Sequence, residues 1–457
     1  MGQDFAAFLL GLPSRGQFDL NGYATAVSKY YALFVQDDWR ARSSLIINLG
    51  LRWEHEIPTT ERYNRVVNRF DPTAVNAISA AAAAAYANSP IAQIAANQFK
   101  ALGGLTFASA ENPNIYSTNS KILSPRIGIA WTPKALGGKT VLRGGFGVFV
   151  SPIGIAGLNQ QGFSQTTQFV ATNNNYLSPA TALSDPFPNG IALPAGSSKG
   201  TGTFLGQQVT FYNPEARNPY QMRWNFGIQH QLPGQMVIEV AYIGNRAVHL
   251  SGSIQLDAVP RQYLSTSPVR DNTTISLLTG NAPNPFKGLL PNSTALNGSI
   301  VPLQQLLIPF PQYPLGSGTS NGVVMQAANA FGSYYHSLNV RLQKRLTHGM
   351  TLINNFIWGN VIERTSYLND TDSAPEKRIA SISRPLQNIL AMTYELPVGR
   401  GKPFNLGSHL LNFLLSSWGV NGALTLQSGP ALSWGNVIYY GGPLNLNPVR
   451  WMVSRSM

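Results

Sequence analysis

The sequence contains no cysteine among its 457 residues. Without thiols the chain cannot form a disulfide scaffold or a thiolate metal centre, which excludes zinc ribbons and iron–sulfur proteins. Charged residues are also scarce, at 11% of the chain, against roughly 25% in a typical soluble domain. This deficit argues against a surface fully exposed to water, whereas the 18 Tyr, 21 Phe and 8 Trp argue against disorder.

Long apolar runs are missing too, and a transmembrane helix needs about 20 consecutive apolar residues. The longest uncharged stretch, Pro72 to Gln98, is rich in alanine but contains Asn76 and Pro90, so it predicts one or two short helices in a loop. The apolar patch Leu410 to Leu415 is too short to span a membrane. The N-terminus lacks the basic and apolar regions of a secretory signal, so we expect either no export or a true beginning that lies upstream.

Several segments instead alternate between apolar and polar side chains, which predicts strands with one face in an apolar environment. From Met222 to Gln231 the even positions are apolar and the odd positions are polar or glycine, and the pattern resumes at Met236 after the turn dipeptide Pro233-Gly234. Ten such strands are predicted, at about 28–40, 44–54, 126–132, 142–151, 222–231, 236–242, 338–345, 350–358, 390–396 and 418–427.

The connections between these strands alternate between short and long. The predicted short turns are Ala41-Arg42-Ser43, Pro133 to Lys139, Pro233-Gly234 and Thr347-His348-Gly349. The predicted long loops lie at about 57–121, 152–219, 252–332 and 361–384. Structureless loops of this length argue against a compact soluble domain. Short turns at one end and long outer loops at the other are typical of an outer-membrane β-barrel.

Aromatic residues near the strand ends support the same prediction, because membrane barrels carry aromatic girdles at both interfaces. The tryptophans in such positions are Trp39, Trp53, Trp131, Trp358 and Trp418. The sequence therefore predicts an all-β, antiparallel transmembrane β-barrel. Ten strands with four long loops suggest part of a larger barrel, and the chain stops at Arg450-Trp451-Met452 in what we interpret as another outer loop.

Scattered motifs also match one family in their order along the chain. They lie at residues 30–40, 49–54, 124–128, 139–147, 218–220, 231–234, 309–313, 335–338, 343–345 and 394–402. The chain thus resembles the TonB-dependent outer-membrane receptors, specifically the Oar-like subgroup. The resemblance covers almost the whole chain, and it depends on the joint order of the motifs.

The resemblance implies a barrel of about 22 strands, occluded by an N-terminal plug. In this family the solute binds the outer loops and the plug, and an inner-membrane complex drives uptake through TonB. The sequence shows no recognisable plug or TonB box, so residues 1–457 are expected to be a barrel portion alone. The implied partners are outer-membrane lipid, a large solute of unknown identity, and a plug and TonB complex if the full-length chain supplies them.

The leading functional hypothesis is energised uptake of a large solute in the outer membrane. The alternatives are a surface protein that binds a ligand or another cell without transport, and an inactive fragment. We expect no enzymatic activity and no cofactor, and the sequence leaves the substrate-binding residues unknown.

Three acidic or hydroxyl motifs favour ordinary loop chemistry over a site. Gly318 to Gly322 fits the G-x-S-x-G pattern, but that chemistry needs a strand before the serine and a helix after it. The loop acids Asp370, Asp372 and Glu376 lack the glycine and spacing of an EF-hand, so a solvated loop is favoured over calcium binding. The pair Asp37-Asp38 is predicted to form ion pairs with Arg40 and Arg42.

The six histidines show no paired metal-ligand spacing, and we predict no metal site from them. They are His55, His230, His249, His336, His348 and His409.

The formal net charge is +13, but the basic residues do not form a patch for nucleic acid. They are spread over turns and over the polar strand face, where the arginines are Arg52, Arg126, Arg143, Arg223 and Arg341. Such arginines inside a barrel could line a path for anionic solutes, pair with carboxylates of a plug, or simply solvate the lumen and meet lipid phosphates at the rim.

Overall fold

The computed structural model describes residues 2–432 apart from 13–14, 118, 156, 173–176, 291–292, 294, 348, 400–401, 405–406 and 416–417. The strands in chain order are β1 (Gln17–Leu20), β2 (Ala26–Arg42), β3 (Leu45–Glu61), β4 (Val67–Asp71), β5 (Gly104–Phe107), β6 (Asn119–Trp131), β7 (Thr140–Val150), β8 (Gln165–Gln168), β9 (Val209–Tyr212), β10 (Tyr220–Leu232), β11 (Met236–Gln255), β12 (Asn281–Pro283), β13 (Ile300–Pro302), β14 (Val323–Thr347), β15 (Met350–Arg364), β16 (Arg378–Ile379), β17 (Leu386–Glu395) and β18 (Gly419–Gln427). The α-helices are α1 (Gly2–Leu9), α2 (Ser79–Ala87), α3 (Asn272–Thr279), α4 (Leu303–Leu307) and α5 (His409–Leu415). Short 3₁₀ helices lie at Lys134–Leu136, Gly200–Gly202 and Arg261–Tyr263.

Ten long strands form one continuous sheet, which we call the wall. Its order is β18-β17-β15-β14-β11-β10-β7-β6-β3-β2, so each wall strand pairs with the wall strands that precede and follow it in the chain. All of these pairings are antiparallel, while β9 adds to β14 in parallel and β16 adds to β15. The predicted all-β antiparallel fold and the ten predicted strands are confirmed.

One face of the wall is apolar and exposed, and the other face is polar. On one face the side chains of Leu33, Val35 and Phe226 are 70%, 67% and 54% exposed, and Trp358 is 57% exposed. Exposing such a surface to water costs about 25 cal/mol for each Å² of apolar area. The exposed apolar face is the face that a membrane barrel turns towards lipid.

Several wall strands extend beyond their predicted ends. Alternation predicted strands at 236–242 and 338–345, whereas β11 and β14 continue into the segment predicted as the loop 252–332. The two strands pair with register shifts between Val248 and Leu250 and twice more beyond Leu250. The alternation already ends after Tyr242, because Gly244 and Arg246 lie on the apolar face, and the bulges beyond Val248 interrupt it further.

The turns of the wall meet at one end, which we call the turn end. The first turn is Ser43-Ser44 rather than Ala41-Arg42-Ser43, because β2 runs to Arg42. Between β10 and β11, Gly234 and Gln235 both adopt a positive φ, of 76° and 57°. In the predicted turn Thr347-His348-Gly349, His348 lies outside the described residues. The fifth link, 396–418, is longer than the others and contains α5.

The long links fold at the opposite end, the loop end, and they are not structureless. Links 62–118, 151–219 and 256–322, which together we call the loop layer, contain most of the buried apolar residues. Tyr86 of α2 stacks on Phe99 at 4.0 Å between ring centroids, and Phe99 contacts Phe286 of a different link. The expectation of structureless loops was therefore wrong. The cause is that these apolar residues pack across distant segments and follow no regular period.

One helix, α2, forms within Pro72 to Gln98, as the composition predicts. None of the helices in the described part of the chain is long and apolar enough to span a membrane. The predicted terminal loop at Arg450-Trp451-Met452 lies outside the described residues.

Candidate functional site

The polar face of the wall carries a basic and aromatic patch. Arg126 and Arg223 both lie opposite Gly147, so the three residues form one row across three strands. Phe149 lies between the two guanidinium groups, 4.6 Å from that of Arg126 and 5.5 Å from that of Arg223. Gly147 is required here, because a Cβ at this position would lie 2.9 Å from the Phe149 ring. These residues line a cavity of about 290 Å³.

A third arginine of the polar face, Arg52, is already neutralised within the chain. Arg52 Nε lies 2.6 Å from Glu54 Oε1, and the Tyr30 hydroxyl donates to the same carboxylate. Arg52 is thus less able to pair with an acidic group of a plug than Arg126 or Arg223, which contact an aromatic ring.

A buried carboxylate connects the wall to the loop layer. Glu56 is 5% exposed and accepts hydrogen bonds from the Tyr116 hydroxyl at 3.2 Å and from the backbone N–H of Ile153 at 3.1 Å. The side-chain amide of Asn218 donates to the same group. Because these donors come from two different links, Glu56 fixes both links to strand β3.

The segment Pro309 to Tyr313 joins all three links of the loop layer. Gln312 is fully buried and its amide donates to Leu102 O at 2.6 Å in the first link. Its own carbonyl accepts from Gly206 N at 3.0 Å in the second link. The sequence placed this motif in a long loop, and only the structure shows that it holds the layer together.

Asp257 lies beneath the same segment and is completely buried. Its Oδ1 accepts from Phe310 N at 2.9 Å, whereas Oδ2 has no hydrogen-bond partner among the described residues. Burial raises the pKa of Asp257 well above its usual range, because a charge is poorly solvated there. Burial in the loop core therefore favours the neutral form of this carboxyl group.

The loop layer also contains a polar cavity of about 650 Å³, which we call the glutamine cavity. Its side chains are mostly amides and hydroxyls, and Lys199 is the one charged residue in its described lining. The lining includes Ser164, Gln165, Thr166, Gln168, Thr203, Phe204 and Gln207. A neighbouring cavity of about 430 Å³ shares Ser164 and Phe204 with it. Neutral donors and acceptors beside an aromatic ring suit an uncharged, hydroxyl-rich or amide-rich solute.

Gly318 to Gly322 does not form a nucleophile elbow. Ser320 N donates to Ser317 O at 2.9 Å in a tight turn, and the next residues enter strand β14 rather than a helix. The hydroxyl therefore lies at a loop tip without the strand–turn–helix geometry that activates such a serine.

Two of the predicted acidic residues accept hydrogen bonds from backbone N–H groups of the loops. Asp370 Oδ2 accepts from Gly318 N at 2.8 Å, and Asp372 Oδ2 accepts from Asn369 N at 3.0 Å. Among the described residues, no group of three or more His, Cys, Asp or Glu side chains is arranged to hold a metal ion.

The predicted ion pairing of Asp37 and Asp38 with Arg40 and Arg42 was wrong. In the described part of the chain these four residues form no salt bridge. Asp38 instead accepts a hydrogen bond from Asn48 at 2.5 Å, its direct partner on β3. In a strand the directly opposite residue is closer than the residue two positions along, so cross-strand pairing prevails.

The histidines lie apart and have separate neighbours. The ring Nδ1 of His230 is 2.8 Å from the Thr140 hydroxyl, and that of His336 is 2.8 Å from the Tyr242 hydroxyl. His249 contacts the ring of Tyr220, and His55 stacks on Trp53. His348 and the side chain of His409 lie outside the described residues.

A family model described as "Outer membrane beta barrel domain" matches residues 1–442. Among solved structures, the alcaligin outer membrane receptor FauA from Bordetella pertussis is 8% identical, with a TM-score of 0.35, covering 88% of this chain and 38% of that one. The copper transporter OprC is 9% identical, with a TM-score of 0.34 and coverage of 81% and 33%. The ferric-catecholate import receptor Fiu from E. coli K12 is 8% identical, with a TM-score of 0.33 and coverage of 82% and 33%. The chain thus spans about a third of the length of these structures. No curated protein matches it.

Proposed function

This chain belongs to the family of outer membrane β-barrel domains, and from that premise we propose that it is the barrel portion of an Oar-like TonB-dependent receptor for energised uptake of a large solute. The family places the chain in the outer membrane. The plug and the TonB contact belong, in this proposal, to further parts of a longer protein.

The observation that carries the proposal is the loop layer. Three long links gather at one end of the wall and are tied together by Glu56 and by Pro309 to Tyr313. A one-sided, ordered layer with its own cavities is suited to capture a solute before it enters a barrel. We assign the links within 57–121, 152–219, 252–332 and 361–384 to the outer side of the membrane.

The glutamine cavity is the proposed contact for part of the solute. Its amides can donate and accept at once, and Phe204 offers a flat apolar surface. Phe204 also adopts a left-handed backbone with φ of 59°, a strained conformation of the kind that is common at ligand sites. The patch of Arg126, Phe149 and Arg223 is the next contact, on the polar face of the wall.

The test is uptake by cells that carry the intact gene, compared with cells from which it is deleted. The probes are fluorescent neutral maltodextrins and, as a charged comparison, a ferric catecholate. We expect gene-dependent accumulation of a neutral probe that a protonophore abolishes. If the probe binds to the cells equally well with and without the protonophore, a surface-binding protein is favoured instead. If no probe binds, an inactive product is favoured.

Two variants localise the contact. Replacing both Gln165 and Gln168 by alanine removes two amides from the cavity, and we expect about a tenfold loss of probe affinity if each makes one hydrogen bond. The matched control is Gln98→Ala, an exposed glutamine of the loop layer outside the cavity lining. Equal affinity of the control and the double variant would show that the solute binds elsewhere.

A further inference from the structure

The wall divides near the loop end between β6 and β7. These two strands pair only as far as Arg126 and Gly147. Beyond this pair, β6 remains hydrogen-bonded to β3 as far as Asn119, and β7 remains with β10 as far as Val150. The two halves of the wall therefore separate, and a crevice of about 510 Å³ opens between them.

The sides of this crevice are apolar. Leu123 lines it from β6, and Val148 and Val150 line it from β7 with Tyr220 of β10 beside them. Alternation places these four side chains on the apolar face, and Leu123 is 54% exposed. The crevice thus opens on the surface that faces lipid.

The rim of the crevice is basic. Arg217 is exposed and lines the rim, where its backbone N–H donates to Asn329 Oδ1 at 2.8 Å. His249 lies at a bulge with φ of 56°, and its ring meets that of Tyr220 edge-on at 5.5 Å between centroids. The bulge turns this histidine towards the same side of the wall as Tyr220.

The base of the crevice contains an acceptor that lacks a donor. Asn218 is 4% exposed, and its Nδ2 donates to Glu56 and to Ser151 O. These two bonds fix the orientation of the amide, and Oδ1 has no hydrogen-bond partner among the described residues. A buried acceptor of this kind costs free energy unless a donor from a ligand or water satisfies it.

Further basic residues lie on the same face of the wall outside the crevice lining. Arg246 and Arg364 lie on the same face near the same end of the wall, and Arg246 lies over the ring of Tyr334 at 5.3 Å. One acidic residue, Glu215, also lines the crevice. The lining itself presents Arg217 and His249 against Glu215, and Arg246 and Arg364 add positive charge further along the same face of the wall.

We propose that this crevice binds one lipid with a phosphorylated headgroup. An acyl chain lies against Leu123, Val148 and Val150, the phosphate accepts hydrogen bonds from Arg217 and His249, and a headgroup hydroxyl donates to Asn218 Oδ1. A planar guanidinium suits a phosphate because it can donate two parallel hydrogen bonds. This site rests only on the membrane location of the chain and is independent of transport.

The experiment is native mass spectrometry of the full-length protein in detergent, titrated with three probes. These are bis-phosphorylated lipid A, the same lipid after removal of its phosphates, and inorganic phosphate. We expect the phosphorylated lipid to bind with one-to-one stoichiometry and at least about tenfold more tightly than the dephosphorylated lipid. Equal binding of the two lipids would overturn the phosphate assignment, and equal binding of inorganic phosphate would overturn the lipid assignment.

Matched variants locate the site. Arg217→Gln should weaken binding of the phosphorylated lipid about tenfold, whereas Arg143→Gln, a basic residue on the opposite face of β7, should leave it unchanged. Glu215→Gln should strengthen binding, because it removes the opposing charge. Val148→Phe should weaken binding of both lipids by filling the crevice. Unchanged lipid binding in both Arg217→Gln and Val148→Phe would refute the site. Arg217 is exposed, so its replacement should not impair folding.

Discussion

The segment Pro309 to Tyr313 yields the sharpest prediction, because the fully buried side chain of Gln312 connects two links of the loop layer. In Gln312→Ala, Leu102 O loses its donor, whereas Gly103 O keeps a hydrogen bond from Asn76 Nδ2 at 3.1 Å. Leu102 is partly buried, and leaving its carbonyl unpaired costs about 1–3 kcal/mol. The vacated volume adds about 1 kcal/mol, and removing the Gln312 Oε1 acceptor, which has no partner among the described residues, returns about 1 kcal/mol.

The net cost is about 2 kcal/mol, which corresponds to roughly a 30-fold increase in the open population of the loop layer. The assay is native-state proteolysis of the full-length protein in detergent, with the cleavage rate in links 62–118 and 256–322 as the readout. The wall should keep its heat-modifiable gel mobility, since Gln312 makes no contact with it in the hydrogen bonds described.

The control is Gln98→Ala, whose exposed side chain makes a long bond of 3.4 Å to Ala95 N. Its cleavage rate should match that of the unchanged protein. The reasoning fails if Gln312→Ala is cleaved at the control rate, or if the wall loses its mobility shift together with the loop layer.

The other predictions concern pH and packing. Burial raises the pKa of Asp257 in the folded protein, so its contribution to the stability of the loop layer is fully present below the unfolded pKa of 3.8 and is lost as the pH rises through the folded pKa. Asp257→Asn should therefore slow proteolysis of the loop layer at pH 7 and make the proteolysis rate less dependent on pH. Asp271 has the opposite sign: hydrogen bonds from the side chain and backbone of Thr274 lower its pKa to about 2, so its stabilisation of α3 is present above 3.8 and is lost as the pH falls through about 2. Asp271→Ala should remove that dependence in hydrogen exchange of α3 amides. Gly244→Ala would place a Cβ 2.2 Å from the Trp224 ring and should lower the midpoint of heat unfolding through about 1–3 kcal/mol of overpacking, whereas Gly422→Ala, with nothing within 4 Å, should not; equal midpoints for these two variants would contradict the packing described.

The strands of the wall were largely predictable because the alternation that marks each strand is found within a few consecutive residues. A strand between lipid and a polar interior must alternate along its length, and the pattern from Met222 to Gln231 records this directly. The prediction stopped at Tyr242, because Gly244 and Arg246 occupy the next two positions on the apolar face and end the alternation, although β11 continues in regular register to Val248 and bulges only beyond it. The predicted partners of Asp37 and Asp38 failed for another reason, because cross-strand neighbours depend on register.

The candidate sites were not predictable in the same way. The amides of the glutamine cavity come from residues 164–168 and 203–207, and no spacing rule relates these two segments. Gln312 and Asp257 are ordinary polar residues in the sequence, and only their complete burial among three links gives them a role. A motif search finds neither, because neither carries a fixed local geometry such as that of a metal-binding or phosphate-binding loop.

The sequence by itself determined that this chain is an antiparallel sheet with an apolar face for lipid, because alternation, tight turns and the scarcity of charge act over a few residues at a time. The tertiary structure alone decided that the long links pack into one layer, that Glu56 and Gln312 bind those links together, and that β6 and β7 part to form a crevice beneath Arg217. These features depend on contacts between residues as much as about 200 positions apart, and the free energy of such contacts exists only once the chain has closed the intervening loops.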